Sequence, residues 1–228
     1  MERQRWTDTA ETRRSGADSS ARDERRAAIV DAAIAAIAEH GPDALTGQIA
    51  DRAGLNRTHF YRHFASKAEL DWAVAKRAHL DITERIRAAL VVDGTPLDAI
   101  RAPIVAHVGW ADEHPNLYRF LLGRNYYRGK DMPRIGGSAF AAEISAAAVR
   151  YIPRFDADPV AADRLVVALL GLIDATVQWW LSYRDTSRAE LVELLTTQAW
   201  LLIDHHLRTV GVVLDPNSPL ERSATLSE

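Results

Sequence analysis

Residues 45–70, LTGQIADRAGLNRTHFYRHFASKAEL, constrain the fold of this chain more than any other stretch. Two short helical segments flank one glycine, and a third helix begins directly after the second. In the first segment Ile49, Ala50 and Ala53 share one face at helical spacing, and Thr46 is placed to cap its start. Gly54 stands where the helix must stop and the chain reverse, a position that often requires positive φ. Leu55 plugs the core below the turn and Asn56 is a good N-cap for the second segment. Phe60 and Phe64, four apart, share that segment's buried face. Arg57, Thr58, His59, Tyr61 and Arg62 are left for solvent or a ligand. Ser66 caps the third helix, with Glu69 where the helix dipole favours a carboxylate. This is a helix-turn-helix layout, and a helix of this cross-section and chemistry suits a DNA major groove. An exposed amphipathic helix in an ordinary helical domain would share the helix-glycine-helix pattern. The sequel Phe-Tyr-x-x-Phe-x-Ser-Lys argues against that plainer reading.

Residues 22–70 resemble the DNA-binding domain of the TetR family of bacterial transcriptional regulators. The resemblance is carried by Arg26, Ile29, Ala32 and Ala33 in a first helix. It continues through Thr46, Ile49, Ala50, Ala53, Gly54, Leu55, Phe60, Tyr61, His63, Phe64, Ser66, Lys67 and Leu70. Asn56 stands where the family usually has Ser, and Thr58 where it has Gly or another small residue. Both departures leave the operator sequence open. The resemblance implies a homodimer on an inverted-repeat operator, with Thr46, Tyr61 and Lys67 on phosphates and Arg57, Thr58, His59 and Arg62 near base edges. His63 matches a position of the same motif. It also implies a small-molecule effector bound by the larger, C-terminal part of the chain.

With 228 residues the chain can bury a sizeable core in one or two domains. The formal net charge of −3 provides no global basic field. Between Arg52 and Lys67, however, four cations (Arg52, Arg57, Arg62, Lys67) stand with no acid among them. Binding through such a patch depends on phosphates contacted, not on net charge. There is no cysteine, which excludes disulfides, thiol redox switches and Cys-ligated zinc. Residues 1–21 lack the apolar stretch of a secretion signal, and the longest apolar run, Leu165–Ile173, is too short to span a bilayer. A cytoplasmic location is expected.

An all-α fold of about nine helices is expected, because hydrophobic spacing keeps returning to three and four. The expected organisation is a disordered arm over 1–21, a helix-turn-helix domain over 22–66, a ligand-binding and dimerisation domain over 67–210, and a loose tail over 211–228. The arm's alternative role is a DNA contact through Arg13 and Arg14. Helices are predicted near 22–40, 67–90, 97–113, 115–127, 138–151, 159–183 and 187–209, besides the two short ones. The last two form an unusually apolar hairpin. With the resemblance, that suggests a four-helix interface between two copies, using Leu169, Leu172, Thr176, Trp180, Leu195 and Leu202. Simple packing within one subunit is the plainer alternative.

Residues 97–155 collect Trp110, Tyr118, Phe120, Tyr126, Tyr127, Phe140 and Tyr151. Aromatic walls with a few polar groups suit a small-molecule pocket, for which His107, Trp110, Phe120, Tyr126 and Phe140 are the candidates. Taken singly, each aromatic fits a core position as well. With no cluster of cations there, an apolar effector is expected over a highly anionic one. His59 and His63 have metal-ligand spacing but no third ligand, so no metal site is expected. The chain has no nucleophile elbow, phosphate loop or dinucleotide fingerprint, so neither an enzyme nor a cofactor is expected. The expected function is a repressor released by its effector. The alternatives are an activator of the same family, or an all-α carrier whose reader no longer binds DNA.

Overall fold

The computed structural model describes the backbone of residues 2–90, 94–123, 137–152 and 154–220. It describes the side chains of 20–56, 58–90, 94–123, 140–152 and 154–220. Among the described residues there are nine helices and no strand: α1 (Glu2–His40), α2 (Thr46–Arg52), α3 (Arg57–His63), α4 (Lys67–Ala89), α5 (Pro96–Glu113), α6 (Pro115–Gly123), α7 (Gly137–Val149), α8 (Pro159–Tyr183) and α9 (Arg188–Thr209). The chain divides into two compact units, Met1–Arg77 and Ala78–Glu228.

In the first unit α1 packs on α2 and α3, and α2 packs on α3. Its core is the stripe Ile29, Ala33, Ala36 and Ile37 of α1 together with Ile49, Ala50, Phe60, Phe64 and Leu70, all essentially buried. Small alanines on α1 and α2 let short helices approach closely. The helical backbone of α1 begins at Glu2, so the segment expected as a disordered arm continues the helix. Once a helix has nucleated, each added residue gains a hydrogen bond, and no proline interrupts residues 2–40.

In the second unit α5 packs along α9 and against α8 and α6, while α7 and α9 flank α8. Thr95 caps α5 and Pro96 fills its first turn, as the capping rules favour. Pro103 lies inside α5. It removes one helical hydrogen bond and loosens the helix beside the cavity described below. The α8–α9 hairpin turns through Arg184, at φ +48, and Ser187, which caps α9. The Ser187 backbone N–H and hydroxyl, with Thr186, hold the Glu190 carboxyl down to about 2. No helix among the described residues is long and apolar enough to cross a membrane.

Residues 211–220 correct the expectation of a loose tail. Val212 N–H donates to the Leu207 carbonyl at 2.8 Å, and Val212 and Leu214 pack against a core cluster of Ala141, Phe155, Ala162, Val166 and Leu207. Leu220 N–H donates to the Gly94 carbonyl at 2.8 Å, so the segment is tied to the loop preceding α5. Tail residues with apolar spacing can bury area that composition alone marks as polar. Residues 221–228 lie outside the described residues.

Candidate nucleic-acid interface and effector cavity

The turn between α2 and α3 is fixed by Gly54, whose φ of +64 lies in the left-handed region that L side chains avoid. The Asn56 side chain accepts from His59 N–H at 2.9 Å, which caps α3 as its position predicts. Phe60 and Phe64 are fully buried with ring centroids 6.2 Å apart, so they lock the rotation of α3 about its axis. That rotation turns Thr58, His59, Tyr61 and Arg62 outward, and all four side chains are exposed. Thr46 is part-buried in the first turn of α2; the N-cap is Leu45, whose N–H is held by the Gln48 side chain at 2.7 Å. Thr46 is therefore not the cap that its hydroxyl suggests. The Arg57 side chain lies outside the described residues, although its backbone opens α3.

Arg26 braces α3 from α1. It donates to the His63 carbonyl and, at 2.8 Å, to Glu69, and its guanidinium sits 4.2 Å from the Phe64 ring centroid. Glu69 also accepts from Ala65 N–H at 2.7 Å, and the Arg26 bond is the first cause holding its carboxyl below the usual range. His63 is half-buried, and its Nδ1 has no protein partner. Burial, then the positive charges of Arg25, Arg26, Arg22 and His59, push its imidazole down, favouring the neutral ring. Its side chain thus stands behind the outward face formed by Thr58, His59, Tyr61 and Arg62.

The four-cation patch is smaller than sequence suggests. Arg52 pairs with Glu39 of α1, and Lys67 pairs with Asp71, whose side chain is buried. Arg62 has no ion-pair partner among the described residues. Sequence reasoning missed the exposed Arg22 and Arg25, which reach the α3 end from α1 closely enough to depress the His63 imidazole. Their only signal in the chain is the cluster Arg22, Arg25 and Arg26 on one helical face.

The second unit holds a cavity of about 160 Å³. Its wall is drawn from α4 (Ile86, Leu90), α5 (Ile100, Pro103, Ile104, His107), α7 (Ile144, Ala148), α8 (Leu169, Leu170, Ile173) and α9 (Trp200, Ile203), closed by Tyr151, Phe155 and Leu220. Among the described lining residues none is an acid, a lysine or an arginine, and His107 is the one imidazole. Of the expected ligand residues only His107 lines it. Trp110 is buried and donates to Asp81 at 2.6 Å; Phe120 and Phe140 are buried elsewhere in the core. These aromatics are buried but do not line the space: α5, α6 and α7 turn Trp110, Phe120 and Phe140 to other neighbours. Tyr126 and Tyr127 lie outside the described residues. The wall is mostly aliphatic, and aliphatic residues are too common for sequence to single out.

His107 belongs to a polar node. Its Nε2 lies 3.0 Å from the Tyr118 hydroxyl and 3.3 Å from Asp174 Oδ1, and the Tyr118 hydroxyl donates to the same oxygen at 2.9 Å. His79 is also buried, and burial lowers its imidazole against the opposing pull of Asp174.

The hairpin holds most of the expected interface residues within the subunit. Trp180 and Leu195 are buried within the subunit, Leu169 lines the cavity, and Leu172 and Thr176 are half-buried; only Leu202 is exposed. The large apolar residues that α8 and α9 leave exposed are Val160, Val167, Trp179, Tyr183, Leu194, Leu201 and Leu202. Both faces of these helices are apolar, so periodicity identified a stripe without deciding which one is outside.

Residues 29–71 match the family model of the bacterial regulatory proteins of the tetR family. Over 189 residues the chain is 28% identical to the HTH-type transcriptional activator FasR of Mycolicibacterium smegmatis, covering 81% of this chain and 85% of that one. Its fold is similar to a tetR-family transcriptional regulator from Streptomyces coelicolor, with a TM-score of 0.63 at 23% identity over 82% of this chain and 83% of the other. It is also similar to the regulator FadR from Bacillus subtilis in complex with stearoyl-CoA, with a TM-score of 0.54 at 20% identity over 77% and 96%. With its turn glycine and its locked α3, the segment 29–71 is that of the DNA-binding domain of the tetR-family regulatory proteins, and the chain as a whole is similar in sequence and fold to regulators of that kind.

Proposed function

We propose that the protein is a cytoplasmic homodimeric repressor that binds an inverted-repeat operator through α3 and is released by a small apolar effector. The observation that carries the reading is the exposed face of Thr58, His59, Tyr61 and Arg62 on a helix fixed by Phe60, Phe64 and Arg26. Such a face can meet base edges while Tyr61 and the α1 arginines meet phosphates. A carrier that had lost DNA binding would have no use for it. The exposed apolar residues of α8 and α9 support pairing of two copies, and two heads related by a two-fold axis read an inverted repeat. In this reading 22–66 is the reader and 67–210 serves ligand binding and pairing.

The cavity supports the effector step. Ile86 and Leu90 belong to the end of α4 that lines it, and α4 starts at Lys67, directly after the reader motif. A ligand preferring one position of that helix shifts the population of heads able to bind DNA, by no more than its difference in affinity for the two states. The likeness to FasR, an activator, favours one second reading, in which the same protein recruits transcription.

The test is a mobility-shift titration against the DNA flanking its own gene, at fixed salt with competitor, followed by transcription from that DNA in vitro. A specific shift with reduced transcript supports repression; a shift with increased transcript supports the activator. Failure to select any bound fragment from the whole genome would sink the DNA reading.

A further inference from the structure

We propose, resting on the effector reading above, that the cavity takes an uncharged molecule of about one ring that donates a hydrogen bond to His107. Size comes first. A dry apolar cavity of about 150 Å³ holds one benzene ring. A space of about 160 Å³ accepts a single substituted ring or a compact alicycle. Charge comes next. Among the described residues the wall carries no ionisable side chain but His107 and the Tyr151 phenol, and the Asp174 carboxylate stands just behind His107. A buried anion there would lack a fixed cationic partner and would face a like charge. The stearoyl-CoA held by the FadR neighbour is anionic, and this uncharged wall suits a different class.

The node sets the polarity of the recognition. The Tyr118 proton goes to Asp174, so the His107 Nε2 facing both oxygens must carry a hydrogen of its own. In the neutral imidazole Nδ1 is then the acceptor. A ligand hydroxyl donating to Nδ1 completes the chain from ligand through His107 to Asp174. A phenol fits; an ether or ketone of equal size lacks the proton.

The experiment is isothermal titration of the full-length protein near pH 7 with 4-ethylphenol, ethylbenzene, benzoate and stearoyl-CoA, with a mobility shift run on the same preparation. 4-Ethylphenol is expected to bind about three- to tenfold more tightly than ethylbenzene, the worth of one hydrogen bond. Benzoate and stearoyl-CoA are expected not to bind at those concentrations. His107→Leu should erase the preference between the two neutral rings. Should that variant fail to fold, Ala148→Phe fills the same space from α7 and should abolish binding of both. Binding of benzoate or stearoyl-CoA as tight as that of 4-ethylphenol overturns the proposal, as does equal binding of the two neutral rings or binding of none. A DNA shift without 4-ethylphenol binding removes this proposal and leaves the regulator; ring binding without any DNA shift does the reverse.

Discussion

Arg26 braces α3 from outside it. One guanidinium holds the helix's last carbonyl, the Glu69 carboxylate and the Phe64 ring. Arg26→Ala should lower stability by about 1–2 kcal/mol, read as a shift of the denaturant midpoint with unchanged slope. Arg62→Ala should leave that midpoint in place and weaken specific operator binding by about 1–3 kcal/mol, with little change on random DNA. Equal operator affinity in variant and wild type would remove Arg62 from the base-reading set. His79 supplies a pH effect. Its folded pKa lies below the ordinary imidazole value of 6.5, because burial outweighs the pull of Asp174. The unfolded chain therefore takes the proton first. Stability should be full above about pH 7 and fall as pH drops through 6.5, levelling off below the depressed folded value. His63 acts in the same direction. Denaturation curves at pH 7.5 and pH 5 should differ less for His79→Gln than for wild type.

At the scale of elements, the turn and the tail carry the argument. A Cβ at Gly54 meets nothing within 4 Å, so Gly54→Ala tests backbone conformation alone. At φ +64 the cost should be about 1 kcal/mol, seen as a lowered melting temperature together with weaker DNA binding. The helix boundaries were legible because caps are local: Asn56, Thr95 and Ser187 each hold the N–H three residues on. Pro103 was legible as a residue, but its consequence was not, because only the packed α5 shows that it borders a cavity. The same holds for Leu220. Leu220→Asp should destabilise the second unit by placing a carboxylate against an apolar wall, and thermal melting of the variant would show it.

At the scale of the whole molecule the question is which apolar surface meets a partner. Trp179→Asp with Leu201→Asp should halve the mass measured by sedimentation while the far-ultraviolet dichroism stays helical. Leu195→Asp should unfold the chain, because Leu195 is fully buried. A double variant that keeps the mass of wild type would remove this face from the dimer reading. Monomers should also lose operator affinity steeply, since one head holds only half the phosphates.

Local sequence sets most of the helix-turn-helix: its turn glycine, its Asn56 and Ser66 caps, its buried Phe60 and Phe64, and by elimination its outward Thr58, His59, Tyr61 and Arg62. All of these follow from contacts within a few residues, where spacing maps directly onto geometry. The tertiary structure alone decided that Glu39 neutralises Arg52, that Arg22 and Arg25 reach the reader's end, that the cavity is aliphatic with His107 as its polar edge, and that Trp180 and Leu195 point inward while Trp179 and Leu201 point out. Those facts depend on partners far along the chain. A helix apolar on two faces carries no mark of which face its neighbours will cover.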